Sequence, residues 1–446
     1  MLPKIRLKKR RCIIYKKGIP FYDAARLIGV SHLFFGTASA EIVDKGNYWE
    51  VSGIETKRDE DQIFWVLERL KLAKKEEKIF NNFKELYKTL HEYFAGQKVR
   101  RRIKRETLGF KYDAVTQKGT RGVDPLSKYE NLAPRSGKEF KDEIPEIAAA
   151  TVGRAFAALV ISRAGRQKDE MHILPVFSTH FVLSGFLNYK RVYQHSAGGY
   201  VASVLAAISI LLDLTSKKIP VVDFAYTRRV STQFPVFSES GYLGFEKLCN
   251  LWWKAVEENN EERLEILRQI KSFLDATSRP DVDSQNQDLA RYLAQFVVML
   301  DVDSLCMIEK IKARIIASGK NIYPALNLFK SKSNLEEVCK MMNLEIKIPE
   351  GLVDSVARIL SMDEKGWINK LTRLENASNI EQFVTELERM ISRGVYVAQT
   401  KQERAINDVY RIKQEDLENL LKLQDPRTFR AFKAIFLLSV LSKIKL

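Results

Sequence analysis

The hydrophobic positions change period several times along the chain, and each change marks an element. In residues 1–17, Ile5, Leu7, Ile13, Ile14 and Tyr15 interleave with basic residues, which suits a short strand or arm that stops at Gly18-Ile19-Pro20. From Tyr22 to Phe35, the spacing of Ala24, Ala25, Leu27, Ile28, Leu33 and Phe34 predicts a helix, broken or capped near Gly29. Glu41 to Ile54 reads as a hairpin, with Ile42-Val43 on one strand, Lys45-Gly46-Asn47 as the turn, and Tyr48, Trp49 and Val51 on the other strand. Asp59 to Phe94 has apolar residues at three- and four-residue spacing and is expected to be helical. Pro145 to Ile161 reads as an Ala-rich helix with proline in its permitted first turn.

Met171 to Phe186 is rich in strand formers, and Ile219 to Phe224, continued by Tyr226 to Val230, reads as a buried strand. Between them, Tyr200 to Leu214 forms the longest apolar run, too short for the roughly 20 residues a membrane span needs, so a buried helix is expected. Helical spacing covers Gly241 to Phe273, yields to a polar connector at Asp275–Gln287, and returns from Leu289 to Ile316. Beyond Ser331-Lys332 every apolar pattern is a short helix, at 335–342, 352–360, 367–374, 380–393, 402–423 and 428–444. The expected fold class is therefore α+β. A mixed α/β N-terminal body spans 1–330, and an all-helical C-terminal bundle spans 331–446.

Charge changes the picture. The 446 residues carry a net charge of +17, and it is unevenly placed. Residues 331–446 hold 19 basic and 17 acidic groups, residues 251–330 hold 11 and 12, and the remaining 43 and 27 leave +16 in residues 1–250. The densest run is Lys98, Arg100, Arg101, Arg102, Lys104 and Arg105, six cations in eight residues without an acid. The stretch from Lys98 to Lys138 continues with glycines, prolines and small polar residues, twelve cations against four acids. Such a strip has little apolar surface to bury and suits a polyanion, most simply nucleic acid. Basic runs are also often only solvated surface, but this one is denser than solubility requires.

Two further candidates follow. Tyr189, Lys190 and Arg191 place aromatic and cationic groups side by side, a composition that stacks on bases and pairs with phosphate, or else forms a half-exposed amphipathic strand. Arg228 and Arg229 suit phosphate or a guanine edge, or an internal ion pair. The four cysteines are far apart, with no CxxC, and the five histidines have no metal spacing. Walker, GxGxxG, GxSxG and HExxH signatures are absent. Asp301 and Asp303 form a DxD in a helical context without further carboxylates. The expectation is a non-enzymatic chain without metal or cofactor, in a reducing cytoplasm and without a membrane span.

The stretch Gly18-Ile19-Pro20-Phe21-Tyr22-Asp23-Ala24-Ala25, set before a basic mixed α/β body and a compact helical C-terminal domain, resembles the large subunit of the archaeal type I-A CRISPR interference complex (the Cascade large subunit). The resemblance implies a non-catalytic reader of a short duplex motif beside the target. Its partners would be guide RNA, target double-stranded DNA, other effector subunits and a helicase-nuclease. A nuclease with a dispersed carboxylate site and a general RNA- or DNA-binding scaffold are the other readings.

Overall fold

The computed structural model describes residues 6–8, 11–35, 40–52, 149–150, 153–154, 156–164, 167–177, 181–183, 190, 192–229, 238–319, 331–361, 366–400 and 414–444. The helix expected over 59–94 and the basic strip beginning at Lys98 lie outside these residues. The fold is α+β, an N-terminal α/β region followed by a helical C-terminal region. Two compact units are formed, one from Met1–Gln194 with Ala202–Trp253, the other from His195–Val201 with Lys254–Leu446. The division expected at Ser331-Lys332 falls inside the second unit.

The first unit holds two five-stranded sheets. One has the order β1 (Arg6–Lys8), β2 (Arg11–Tyr15), β4 (Tyr48–Ser52), β3 (Ala40–Asp44), β7 (Phe181–Leu183), with every pairing antiparallel. Its inner face is set by the pleat. Ile14, Ile42, Trp49 and Val51 are buried on one side, while Glu41 is exposed. The other sheet has the order β10 (Ser238–Tyr242), β9 (Val221–Arg229), β6 (Gln167–Phe177), β5 (Ala158–Ala164), β8 (Val192–Gln194), and only β5 and β8 pair in parallel. The helix expected to run from Pro145 to Ile161 is shorter than its pattern. Backbone turns from Phe156 N–H to Gly153 O and from Ala157 N–H to Arg154 O end it, and the β-branched Val160 and Ile161 then enter β5.

Helix α1 (Pro20–Phe35) packs against β6, β9 and β10. It runs unbroken through Gly29, contrary to the break expected there. That glycine is present because another helical segment crosses at Ala149–Arg154. A Cβ on Gly29 would overlap the Ala149 carbonyl oxygen and lie 2.9 Å from the Gly153 amide, and a Cβ on Gly153 would overlap the Ala25 carbonyl and lie 2.8 Å from the Gly29 amide. Ala25-x-x-x-Gly29 and Ala149-x-x-x-Gly153 thus bring two backbones into direct apposition. Helix α2 (Gly199–Leu214) is buried along most of its length, as its apolar composition predicts. Among the described residues it belongs to the one stretch, Gly199–Lys217, long and apolar enough to cross a membrane, and 67% of that window is buried inside the protein.

Two long helical patterns each prove to be two helices. The region from Gly241 splits into strand residues Gly241-Tyr242, helix α3 (Glu246–Glu257) and helix α4 (Glu261–Ala276). Asn259 at φ 50° makes the turn, and the Asn260 side chain accepts from Arg263 N–H. Likewise α5 (Ser284–Met299) ends at Leu300, φ 53°, and α6 (Val302–Ala317) starts from Asp301, whose carboxylate accepts from Ser304 N–H. The first aspartate of the DxD is therefore a helix cap, and Asp303 pairs with Arg430 at 2.7 Å.

The second unit continues with α7 (Lys332–Met341), α8 (Glu350–Ser361), α9 (Trp367–Asn376), α10 (Ile380–Thr400), α11 (Gln414–Leu421) and α12 (Pro426–Lys443). Helix α12 is its centre and packs on α6, α8 and α9. Phe383 meets Phe429, Phe432 and Phe436 edge-on at 5.9, 6.0 and 5.6 Å between ring centroids. A buried ion pair, Arg263 Nε to Glu337 Oε1 at 2.5 Å, ties α4 to α7.

Two buried ionisable groups lie one turn apart on α6. Lys312 donates to Ser442 Oγ, and burial lowers its pKa from 10.5 to about 7. Burial, reinforced by Glu375, raises Glu309 from 4.5 to about 8, against the opposing charges of Lys310 and Lys433.

Stability predictions follow for each unit. Gly29→Ala or Gly153→Ala should cost roughly 3 kcal/mol or more, the upper range for overpacking, because the obstructing atoms are backbone. Thermal unfolding of each variant measures this. For Glu309, the folded state keeps a proton the unfolded chain releases, so stability falls with pH between 4.5 and about 8. For Lys312, the unfolded chain holds a proton the folded state lacks, so stability climbs with pH between about 7 and 10.5. Lys312→Met should raise the unfolding midpoint at pH 7 and flatten the alkaline rise, while Glu309→Gln should flatten the fall below it. Melts at acidic, neutral and alkaline pH check both.

Candidate functional site

Most of the sequence-derived cationic candidates, namely Lys98, Arg100, Arg101, Arg102, Lys104, Arg105, Tyr189 and Arg191, lie outside the described residues, as does the side chain of Arg229 at the end of β9. Lys190 is exposed, with Nζ 5.9 Å from the centroid of the Tyr193 ring. That ring is only 2% exposed, so Tyr193 is a core residue of β8 and presents no free face for stacking. Arg228 lies opposite Glu239 on β10 and Met171 on β6, and pairs with Asp169 at 3.4 Å, each side chain about 40% exposed. This pair is solvent-exposed, not internal. Lys190 adjoins the edge strand β8, three strand spacings from β9, roughly 14 Å, so the two cations do not form one patch.

The first unit also holds a site that the sequence reading missed. It starts in the loop before α1. Asp23 accepts backbone N–H groups from Lys17 and Gly18 at 2.9 Å and from Ile19 at 3.2 Å. Gly18 has φ 77°, which lets three successive amides converge on one carboxylate. Arg26, fully buried, bonds both Asp23 Oδ1 at 3.0 Å and the Tyr15 carbonyl at 2.8 Å, and lies over the Tyr22 ring. The Gly18–Ala25 stretch is thus explained residue by residue: a left-handed glycine, proline opening the helix, buried Phe21 and Tyr22, an amide-gathering aspartate, and small residues where the helices cross.

Two more carboxylates are held in comparable fashion nearby. Asp44 closes the hairpin turn by accepting from Gly46 N–H at 2.8 Å and pairs with Lys16 at 2.8 Å, while Lys16 Nζ lies 4.6 Å from the Trp49 ring centroid. Asp223, in an otherwise apolar stretch of β9, accepts from Phe224, Phe245 and Gly244 N–H at 2.7, 2.8 and 3.2 Å and so caps α3.

These groups wall a cavity of about 480 Å³. Lys16, Asp44 and Trp49 come from the first sheet, and Val176, Phe177, Val222, Asp223 and Tyr242 from the second. Pro20, Asp23 and Ala24 come from α1, and Glu246 from α3. Four carboxylates therefore face one lysine in an otherwise basic half of the chain. Burial raises the pKa of Asp23 and Asp223, with Glu246 adding to the latter, and their backbone N–H partners oppose the shift. Burial, then the charges of Asp23, Asp223 and Asp44, raises the phenol of Tyr242.

The volume falls in the range of small-ligand sites. The sign of the field disfavours phosphate. Asp23 and Asp223 each accept three backbone N–H groups, Asp44 accepts one and pairs with Lys16, and among the described residues no group of three ligating side chains converges to hold a metal. His195 lies elsewhere, in the second unit. Burial takes its pKa down to about 4, Nδ1 accepts from Ala197 N–H, and Nε2 bonds Thr277 Oγ1 at 3.2 Å, an arrangement that serves packing.

Removing either partner of the Asp23–Arg26 pair leaves a buried charge uncompensated. Asp23→Ala and Arg26→Met should each cost roughly 3–5 kcal/mol, and the double variant distinctly less than the sum. Denaturant titration of the four proteins in the cycle measures the coupling.

Set against known proteins, the chain matches no protein-family model and no curated protein.

Proposed function

We propose that the chain is a non-catalytic nucleic-acid-binding subunit of a CRISPR effector complex working in the cytoplasm. It would engage guide RNA and target double-stranded DNA, read a short duplex motif beside the target, support duplex opening and help recruit the helicase-nuclease. The observation that carries this reading is the segregation of charge, +16 in residues 1–250 with six cations between Lys98 and Arg105. The Gly18–Ala25 stretch supports it further. In the structure this stretch is the anchor of α1. The weight of the reading falls on the Lys98–Arg105 run.

A nuclease with a dispersed carboxylate site is the second reading, favoured by the gathering of Asp23, Asp44, Asp223 and Glu246 around one cavity. The commitment of the three aspartates to backbone amides weakens it, since a catalytic metal needs those lone pairs.

Binding to short duplexes with randomised flanks, measured at two salt concentrations, tests the proposal. Enrichment of a short motif is expected. Replacing Lys98, Arg100, Arg101, Arg102, Lys104 and Arg105 together should flatten the salt dependence by several units, at about 0.9 per phosphate contact. An unchanged slope removes the run from the interface. Magnesium-dependent cleavage by the purified chain would instead establish the nuclease.

A further inference from the structure

The cavity in the first unit faces the wrong way electrostatically for a polyanion, and this carries an inference independent of the proposed function. We infer that the cavity walled by Trp49, Asp223, Tyr242 and Glu246 is a binding site for an organic cation, a guanidinium or alkylammonium group.

Four observations converge on it. The cavity has a net negative lining: Arg26 offsets Asp23 and Lys16 offsets Asp44, which leaves Asp223 and Glu246, within a chain of net charge +17. Lys16 is already engaged by Asp44 and the Trp49 ring, which leaves the Asp223 and Glu246 side without a cation. Tyr242 is 56% exposed and Val222 is exposed beside it, so aromatic and apolar surface meets solvent at the same place. Trp49 also lines the cavity and adds indole surface to its aromatic wall.

The lining also selects the kind of cation. A bare metal ion needs several converging oxygens, and the aspartates have largely committed theirs to amides. A guanidinium or alkylammonium instead uses long-range charge, an aromatic face and apolar walls together. Val176, Phe177 and Val222 supply the walls, Tyr242 the face, and Asp223 and Glu246 the charge. About 480 Å³ accommodates an arginine side chain with room for part of its backbone. The same chemistry is available from a free small cation or from an arginine presented by another polypeptide.

Calorimetric titration of the full chain separates these. The probes are methylguanidinium, the blocked peptide acetyl-Gly-Arg-Gly-amide, and its citrulline counterpart, which keeps the shape and loses the charge. Saturable binding of the arginine probes is expected, with citrulline at least about tenfold weaker. Tyr242→Ala and Glu246→Lys should each weaken binding by about tenfold, with unfolding midpoints confirming that the variants are folded. If one variant does not fold, the other and the citrulline comparison decide. A peptide that binds more tightly than methylguanidinium assigns the site to a polypeptide-borne arginine, and equal affinity assigns it to a free cation. The inference is overturned if neither arginine probe saturates, if citrulline binds as well as arginine, or if the folded variants bind as the parent does.

Discussion

One carboxylate fixes the entry to the first unit. Asp23 turns the Lys17–Ile19 backbone around itself, pairs with the buried Arg26 guanidinium, and thereby sets where α1 begins and which way it runs. The buried Arg26 then holds the end of β2 through the Tyr15 carbonyl, so strand and helix are joined by one side-chain pair. Because α1 bears on β6, β9 and β10, the second sheet takes its position from the same anchor. A buried pair of this kind contributes little net stability against an apolar substitute, but it penalises every alternative path of the loop, which suits a specifying role.

Legibility in the sequence followed the range of the interactions involved. The C-terminal helix was readable because Phe429, Phe432, Ile435 and Phe436 repeat at helical spacing and all bury on one core. The break at Leu300 was not, since leucine rarely takes a left-handed conformation and the cap that justifies it, Asp301, resembled half of a metal motif. The overrun of the Ala-rich helix into β5 has the same origin: alanine favours the helix locally, while pairing with β6 decides Ala158 and Val160 from a distance. Gly29 was noticed and misassigned, because its reason lies on another segment.

The cavity was the least legible feature. Its residues come from the loop before α1, the first hairpin, β6, β9, β10 and α3, and no spacing rule connects these. One signal was present, the lone aspartate of Val-Val-Asp-Phe in a buried strand, which requires a partner that the sequence does not name. The result is a chain in which the two signs of charge are distributed differently. The cations of the N-terminal half are dense in sequence, whereas the carboxylates are scattered in sequence and gathered by folding.

The crossing at Gly29 and Gly153 has a consequence for how the chain is made. More than a hundred residues separate the two glycines, so α1 emerges from the ribosome long before the segment that covers it. At roughly 5–20 residues per second, synthesis leaves the bare backbone stripe of α1 uncovered for several seconds. The N-terminal unit is therefore a late-closing one. Its first helix must wait for the crossing segment, and longer still for β9 and β10, where Phe21 N–H meets Ser240 219 residues away.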